Sequence, residues 1–263
     1  MIDMSKDHDD ILRFVMVIET STYLNRLEAN QFNLFTQKLH NSLLKSFNHF
    51  KGKILVNNDN MYIVKFKSVT NTILCALKIQ DNFKYITPKF DASIRQLKIG
   101  IASGNKNDID SIIKVATRIC EVVKDQIVIT TDVRKLYEEV NKNSFINKEH
   151  IKTLKPQNEV FINEIMDFSE TIWTRSDFNV KEFSKNLGLS EVQVYRKLKV
   201  LTGKTPSRFI RDFRLNKALN LLHAKKANIT EIARKSGFNS LTYFGKCFKS
   251  KFGILPSKYL QQH

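Results

Sequence analysis

The chain has 263 residues, 42% apolar and 26% charged, with only 8 Gly and 4 Pro. That balance suits two ordinary folded domains and excludes collagen-like, low-complexity and largely disordered classes. The formal charge of +17 points to a polyanionic partner only if it is concentrated, because lysine-rich surfaces are commonly just solubilising.

The charge is concentrated. Residues 1–156 carry 24 Lys/Arg against 17 Asp/Glu, whereas residues 191–263 carry 16 against 3, a net +13. No run of about 18 apolar residues is present, and Met1 to Asp10 is acidic where a secretory leader would be basic and then apolar. A cytoplasmic protein without membrane association is expected. Cys75, Cys120 and Cys247 are widely spaced, odd in number and lack metal-ligand spacing. They are expected to pack in cores in a reducing compartment, and neither a metal nor a cofactor is expected.

In chain order, strand and helix signals alternate over the first 155 residues. Phe14 to Ile18 reads as strand, Ala29 to Phe47 as helix, Lys53 to Asn57 and Met61 to Phe66 as paired strands, and Thr70 to Asn82 as helix. Leu97 to Ala102 then reads as strand, Asp108 to Val122 as helix, Gln126 to Thr130 as strand and Asp132 to Val140 as helix. Such mixed signals predict an α+β domain, a sheet covered by helices.

Four strings in this region resemble the class III nucleotide cyclase homology domain. They are Val17-Ile18-Glu19-Thr20-Ser21-Thr22-Tyr23, Lys51-Gly52-Lys53-Ile54, the run Leu97 to Gly104, and Val115-Ala116-Thr117-Arg118-Ile119. The resemblance implies a ferredoxin-like fold that pairs head to tail. Catalysis in that family needs two Asp to hold two Mg²⁺ ions. Here Glu19 stands at the first position and Asn60 at the second, although a one-residue slip would make Asp59 the ligand. The family's transition-state Asn falls on Lys114, its Arg is kept as Arg118, and its base-recognising Lys falls on Val56. The resemblance thus implies a catalytically inactive domain, not an enzyme, kept for homodimerisation or for sensing a nucleotide or other small-molecule effector. An active cyclase tethered to a DNA-binding domain is the alternative. Arg118 reads either as a helix-surface ion-pair partner or as a retained phosphate contact.

Pro156-Gln157-Asn158 interrupts the pattern and marks a boundary. Beyond it, Glu159 to Thr174 reads as an amphipathic helix with Val160, Phe161, Ile165, Ile172 and Trp173 apolar. The expected organisation is therefore a domain over 1–155, a connecting helix within 156–178 and a second domain over 179–263.

The second domain holds an internal repeat at a spacing of about 50 residues. Asn179-Val180-Lys181-Glu182-Phe183 matches Asn228-Ile229-Thr230-Glu231-Ile232, and Gly188-Leu189 matches Gly237-Phe238. With the offset one larger, Val194, Arg196, Leu198 and Lys199 match Phe244, Lys246, Phe248 and Lys249, and Gly203 with Pro206 matches Gly253 with Pro256. Each copy reads as two short helices around a glycine turn, with Asn179 and Asn228 capping the first helix and Ser190 and Ser240 the second. The pairs Val194/Leu198 and Phe244/Phe248 pin each second helix to a core, and Tyr243, Phe248 and Phe252 are expected in the buried stripe. Between the copies, Pro206 opens a long helix carrying Phe209, Ile210, Phe213, Leu215, Leu219 and Leu222. Its length of about 25 Å is comparable to the roughly 34 Å between successive major-groove faces.

Residues 179–260 resemble the AraC/XylS family of bacterial regulators. The match is carried by Ile229 to Ala233, Ser236-Gly237-Phe238, Tyr243-Phe244, Phe248-Lys249, Phe252-Gly253 and Pro256-Ser257-Lys258-Tyr259, with Arg211 to Ala218 in the linker helix. It implies an all-α domain with two helix-turn-helix units on duplex DNA. Base contacts should come from Val192, Tyr195 and Arg196, and from Leu241, Thr242 and Lys246. Arg196 can offer guanine a two-pronged donor, Lys246 one donor, and Val192 or Thr242 an apolar contact to a thymine methyl. Gly245 presents no side chain to the groove. Ser190, Lys199, Ser240 and Lys249 are expected phosphate contacts, while Lys199, Lys249 and Lys251 read equally as solvated charge. The whole chain therefore reads as a transcription regulator binding promoter or operator DNA.

Overall fold

The computed structural model describes residues 12–19, 29–58, 61–86, 97–124, 126–142, 150–224 and 227–262. The chain divides into two compact units, Met1–Val160 and Phe161–His263.

In the first unit, strands β1 (Leu12–Glu19), β2 (Lys53–Asn58), β3 (Met61–Phe66), β4 (Lys98–Asn105), β5 (Ile127–Ile129) and β6 (Lys152–Thr153) form one sheet in the order β2-β3-β1-β4-β5-β6. Helices α1 (Ala29–His49), α2 (Val69–Ile86), α3 (Ile109–Val122) and α4 (Thr131–Val140) connect them. The first four strands pair antiparallel, and β4, β5 and β6 run parallel. The succession β1-α1-β2-β3-α2-β4 in spatial order β2-β3-β1-β4 is a ferredoxin-like core, extended on one edge by parallel strands reached through helical crossovers.

Side chains alternate across β1 and give the sheet two apolar faces. Phe14, Met16 and Ile18 join Leu39, Leu43 and Phe47 of α1 and Ile73, Ile79 and Phe83 of α2 in the larger core. Val15 and Val17 turn to the opposite face, where Ile112, Ala116 and Cys120 of α3 cover them. These three lie at i, i+4 and i+8, one stripe of a helix. Beneath the stripe, β4 presents Gly100, Ala102 and Gly104 on alternate residues, so small groups let the helix approach closely. The outer strand β2 carries a bulge between Ile54 and Val56, an irregularity that discourages edge-to-edge pairing.

Helix α5 (Pro156–Ile172) crosses the division between the units without a break. The helix begins at Pro156, three residues before the expected Glu159, because a proline in the first turn gives up only an N–H that has no partner there. Glu159 accepts a hydrogen bond from the Thr131 amide at the start of α4, at 2.8 Å, which satisfies an otherwise free amide at a helix N-terminus. Of the apolar positions assigned to this helix, Phe161, Ile165 and Ile172 are buried, but Val160 is exposed.

The second unit adds α6 (Lys181–Leu187), α7 (Glu191–Thr202), α8 (Pro206–His223), α9 (Ile229–Lys235), α10 (Leu241–Phe252) and α11 (Pro256–Gln262). Four glycines, Gly188, Gly203, Gly237 and Gly253, adopt positive φ between 61° and 80° and mark the ends of α6, α7, α9 and α10. Left-handed geometry there releases each chain end from its helix at little steric cost. Thr205 caps α8 through the Arg208 amide, with Pro206 in the first turn. Two cores follow the repeat: Phe183, Val194, Leu198 and Phe209 are buried around the first copy. Ile232, Phe244, Phe248, Phe252 and Tyr259 enclose the second with Leu215 and Leu222 of α8.

Candidate nucleic-acid interface

Both copies of the repeat form a helix, a glycine turn and a second helix: α6 and α7, then α9 and α10. Ser190 begins α7 with a capping box, its hydroxyl accepting the Gln193 amide at 3.3 Å while the Gln193 carbonyl accepts the Ser190 amide at 2.9 Å. Ser240 begins α10 and accepts the Tyr243 amide at 3.2 Å. Each serine keeps its hydroxyl proton, which leaves one donor at the positive end of a helix. Asn228 caps α9 through the Glu231 amide. At the first copy, Asn179 accepts the Lys181 amide and donates its own to Glu182.

Val194 and Leu198 are fully buried, so α7 turns the opposite face outward. That face carries Val192 at 75% exposure and Tyr195 at 49%, together with exposed Arg196 and Lys199. On α10, burial of Phe244, Phe248 and Phe252 leaves Leu241, Thr242, Lys246 and Lys249 exposed. A side chain added at Gly245 would meet nothing within 4 Å, so the middle of this surface is open backbone. Lys199 already donates to the Gly203 carbonyl at 3.3 Å, at the end of its own helix.

One expectation for this surface is corrected. Tyr243 is 49% exposed and does not join the core; the buried stripe is Phe244, Phe248 and Phe252, spaced four apart, and Tyr243 lies one residue, about 100° of helical turn, away from it. Its hydroxyl receives a hydrogen bond from Arg211 of α8 at 3.4 Å. That bond raises the Arg211 pKa above its ordinary value. The pair was missed in the sequence because the contact joins residues 32 apart on different helices.

The remaining candidates lie in the first unit. Glu19 ends β1, opposite Met61 and Lys98 on the neighbouring strands. Lys98 donates to the carbonyls of Glu121 and Val123 at 3.1 and 2.8 Å, and so complements the negative end of α3. Lys114 is exposed on α3, whereas Arg118, one turn on, is only 7% exposed. Arg118 is thus a buried residue of α3 and not one of its exposed surface. Val56 is an exposed residue of β2. Asp59 and Asn60 lie outside the described residues.

A family profile described as a helix-turn-helix domain matches residues 183–262. Two curated proteins are similar to part of this chain. Histidine kinase P4 of Formosa agariphila is 35% identical over 126 residues, covering 46% of this chain and 9% of that protein. The HTH-type transcriptional regulator MtrA of Neisseria gonorrhoeae is 30% identical over 101 residues, covering 38% of this chain and 32% of that protein. This chain thus spans a third or less of the length of each. Among solved structures, an AraC-type transcriptional regulator from Chromobacterium violaceum is similar at 24% identity and a TM-score of 0.38, covering 41% of this chain and 96% of that one. The adenylyl cyclase CyaB from P. aeruginosa is similar at 14% identity and a TM-score of 0.42, covering 49% and 82%. No helix among the described residues is long and apolar enough to cross a membrane.

Proposed function

We propose that this chain is a sequence-specific DNA-binding transcription regulator. The observation that carries the reading is the repeated presentation of an exposed second helix, α7 and then α10, from a region with 16 Lys/Arg against 3 Asp/Glu. Two such helices joined by α8, 18 residues and so about 27 Å long, suit successive major-groove segments on one side of a duplex. Arg196 reads guanine through a paired donor, Lys246 contributes a single donor, and Val192, Tyr195, Leu241 and Thr242 supply contacts to thymine methyls and neighbouring base edges. Ser190, Ser240, Lys199 and Lys249 hold phosphates and fix the register. Arg211 and Tyr243 form a further phosphate anchor beside the start of α10.

In this reading the N-terminal unit is a cyclase homology domain without catalytic activity. It pairs two chains in the cytoplasm, or binds an effector, and so places four helix-turn-helix units on DNA with the gain in apparent affinity that linked sites provide. Replacement of an aspartate by Asn60 removes charge from a site that must hold two divalent cations.

Selection of bound duplexes from a random library by the full chain tests the central claim. A recurrent motif with two separated blocks is expected, and recovery of no motif would refute it. Incubation with ATP or GTP and Mg²⁺ or Mn²⁺ is expected to yield no cyclic nucleotide. Turnover abolished by Glu19→Ala or Asp59→Ala would replace the inactive domain with an active cyclase tethered to DNA.

A further inference from the structure

The two helix-turn-helix copies differ at one equivalent position. A side chain added at Gly188, in the first turn, would meet nothing within 4 Å. At Gly237, in the second, a Cβ would stand 2.6 Å from the Trp173 carbonyl oxygen and 3.0 Å from Nε of Arg214. The first turn is open and the second is covered.

Arg214 projects from α8 and grips two carbonyls on separate segments. One Nη donates to Gly237 at 3.2 Å, and the other donates to the backbone oxygen of Arg175, just beyond α5. The Arg175 side chain in turn pairs with Asp177 and, at 2.8 Å, with Glu182 of α6. A continuous polar path therefore runs from the turn of the second copy, through the linker helix, to the first helix of the first copy. Apolar packing alone does not account for this arrangement. The Arg214 Nε is buried without an acceptor, and desolvation lowers the pKa of the group below the usual arginine value. A methionine of similar length would incur neither cost. What the guanidinium adds is geometry, because its planar fork holds two acceptors at a fixed angle and an ammonium cannot.

We propose that Arg214 is a positioning residue that sets the orientation of the second helix-turn-helix against the first, and with it the spacing between DNA blocks that the chain accepts. The proposal rests on the DNA-binding reading above. Arg214 touches no DNA in it; the residue acts through the Gly237 turn, which leads directly into Ser240 and α10.

The test uses the full chain, the motif selected by the wild type, the same duplex with its α10 block scrambled, and versions with the two blocks moved by one base pair. Arg214→Met is expected to weaken binding to the intact site by about tenfold, to leave binding to the scrambled duplex unchanged, and to shrink the discrimination between correct and altered spacing. Arg214→Lys, which keeps charge and stem, should fall between them and provides a folded comparison if the methionine variant is unstable. The salt dependence should stay that of the wild type. Unchanged discrimination of spacing in both variants would overturn the proposal, as would equal losses on intact and scrambled duplexes. A log-log salt slope reduced by about 0.9 would instead make Arg214 a phosphate contact and also overturn it. Failure of the wild type to select any motif would remove the parent reading, a result seen before either variant is measured.

Discussion

Gly100 of β4 lies directly beneath Ala116 of α3: a Cβ at residue 100 would stand 2.3 Å from the Ala116 carbonyl oxygen and 2.7 Å from Cβ of Cys120. Backbone atoms occupy the space a side chain would need, and neither helix nor strand can yield locally. Gly100→Ala is therefore expected to force α3 off the sheet and destabilise the N-terminal unit by about 1–3 kcal/mol or more, the usual cost of overpacking a filled core. Urea unfolding followed by circular dichroism measures the shift in midpoint. A midpoint equal to that of the wild type would show that α3 is not held this closely.

Sequence pattern revealed these elements to the extent that each rested on local periodicity or end chemistry. The Val194/Leu198 and Phe244/Phe248 pairs, the serine caps and the turn glycines all depend on neighbours within one or two helical turns, and each appears as expected. Tyr243 and Phe244 show where local pattern fails. Both are aromatic and adjacent, and choosing which one is buried needs the phase of the whole stripe through Phe248 and Phe252. Arg214 had no local signal at all, because its two acceptors, Arg175 and Gly237, lie 39 and 23 residues away.

Arg196→Ala is expected to weaken binding to the selected site by about 1–3 kcal/mol and to relax preference at a single base pair, as loss of a paired contact to guanine requires. Binding to a panel of single-base variants reads this directly. Uniform weakening across the panel would reassign Arg196 to the phosphate backbone.

Arg211→Ala should act in that second way. A guanidinium that anchors phosphate beside α10 contributes to all duplexes alike, so affinity falls without change in sequence preference and the log-log salt slope decreases by about 0.9. Tyr243→Phe removes only the hydroxyl and should have a smaller effect in the same direction. Altered preference at one base pair in either variant would place the pair at base edges instead.

The concentration of charge in residues 191–263 is expected to make affinity for DNA steeply dependent on ionic strength. If six phosphates are neutralised, binding falls by about 10³-fold between 50 and 200 mM salt. Fluorescence anisotropy over that range is sufficient, and a flat response would separate the basic surface from DNA binding.

The three thiols should differ sharply in reactivity. Cys75 and Cys120 are buried, and desolvation pushes both up to about 12, from 9.0; Cys120 also donates to the Lys98 carbonyl at 3.3 Å. Cys247, on α10, is only partly buried. The thiolate is the reactive form, and at pH 8 a thiol at about 12 is ionised to only roughly one part in ten thousand, while Cys247 is the one of the three that solvent reaches. A disulfide reagent at pH 8 is therefore expected to modify one cysteine per native chain quickly and the other two only in denaturant. The same shifts fix the sign of the alkaline response. Between about 9 and 12 the unfolded chain has released these protons while the folded chain keeps them, so stability present in full below about 9 is lost progressively as pH rises to 12. Denaturant midpoints of the N-terminal unit should fall across that window and recover on return to pH 8. Rapid modification of two or three thiols in the native chain would show that α2 and α3 do not seal Cys75 and Cys120 from solvent, and would remove the basis for the alkaline loss.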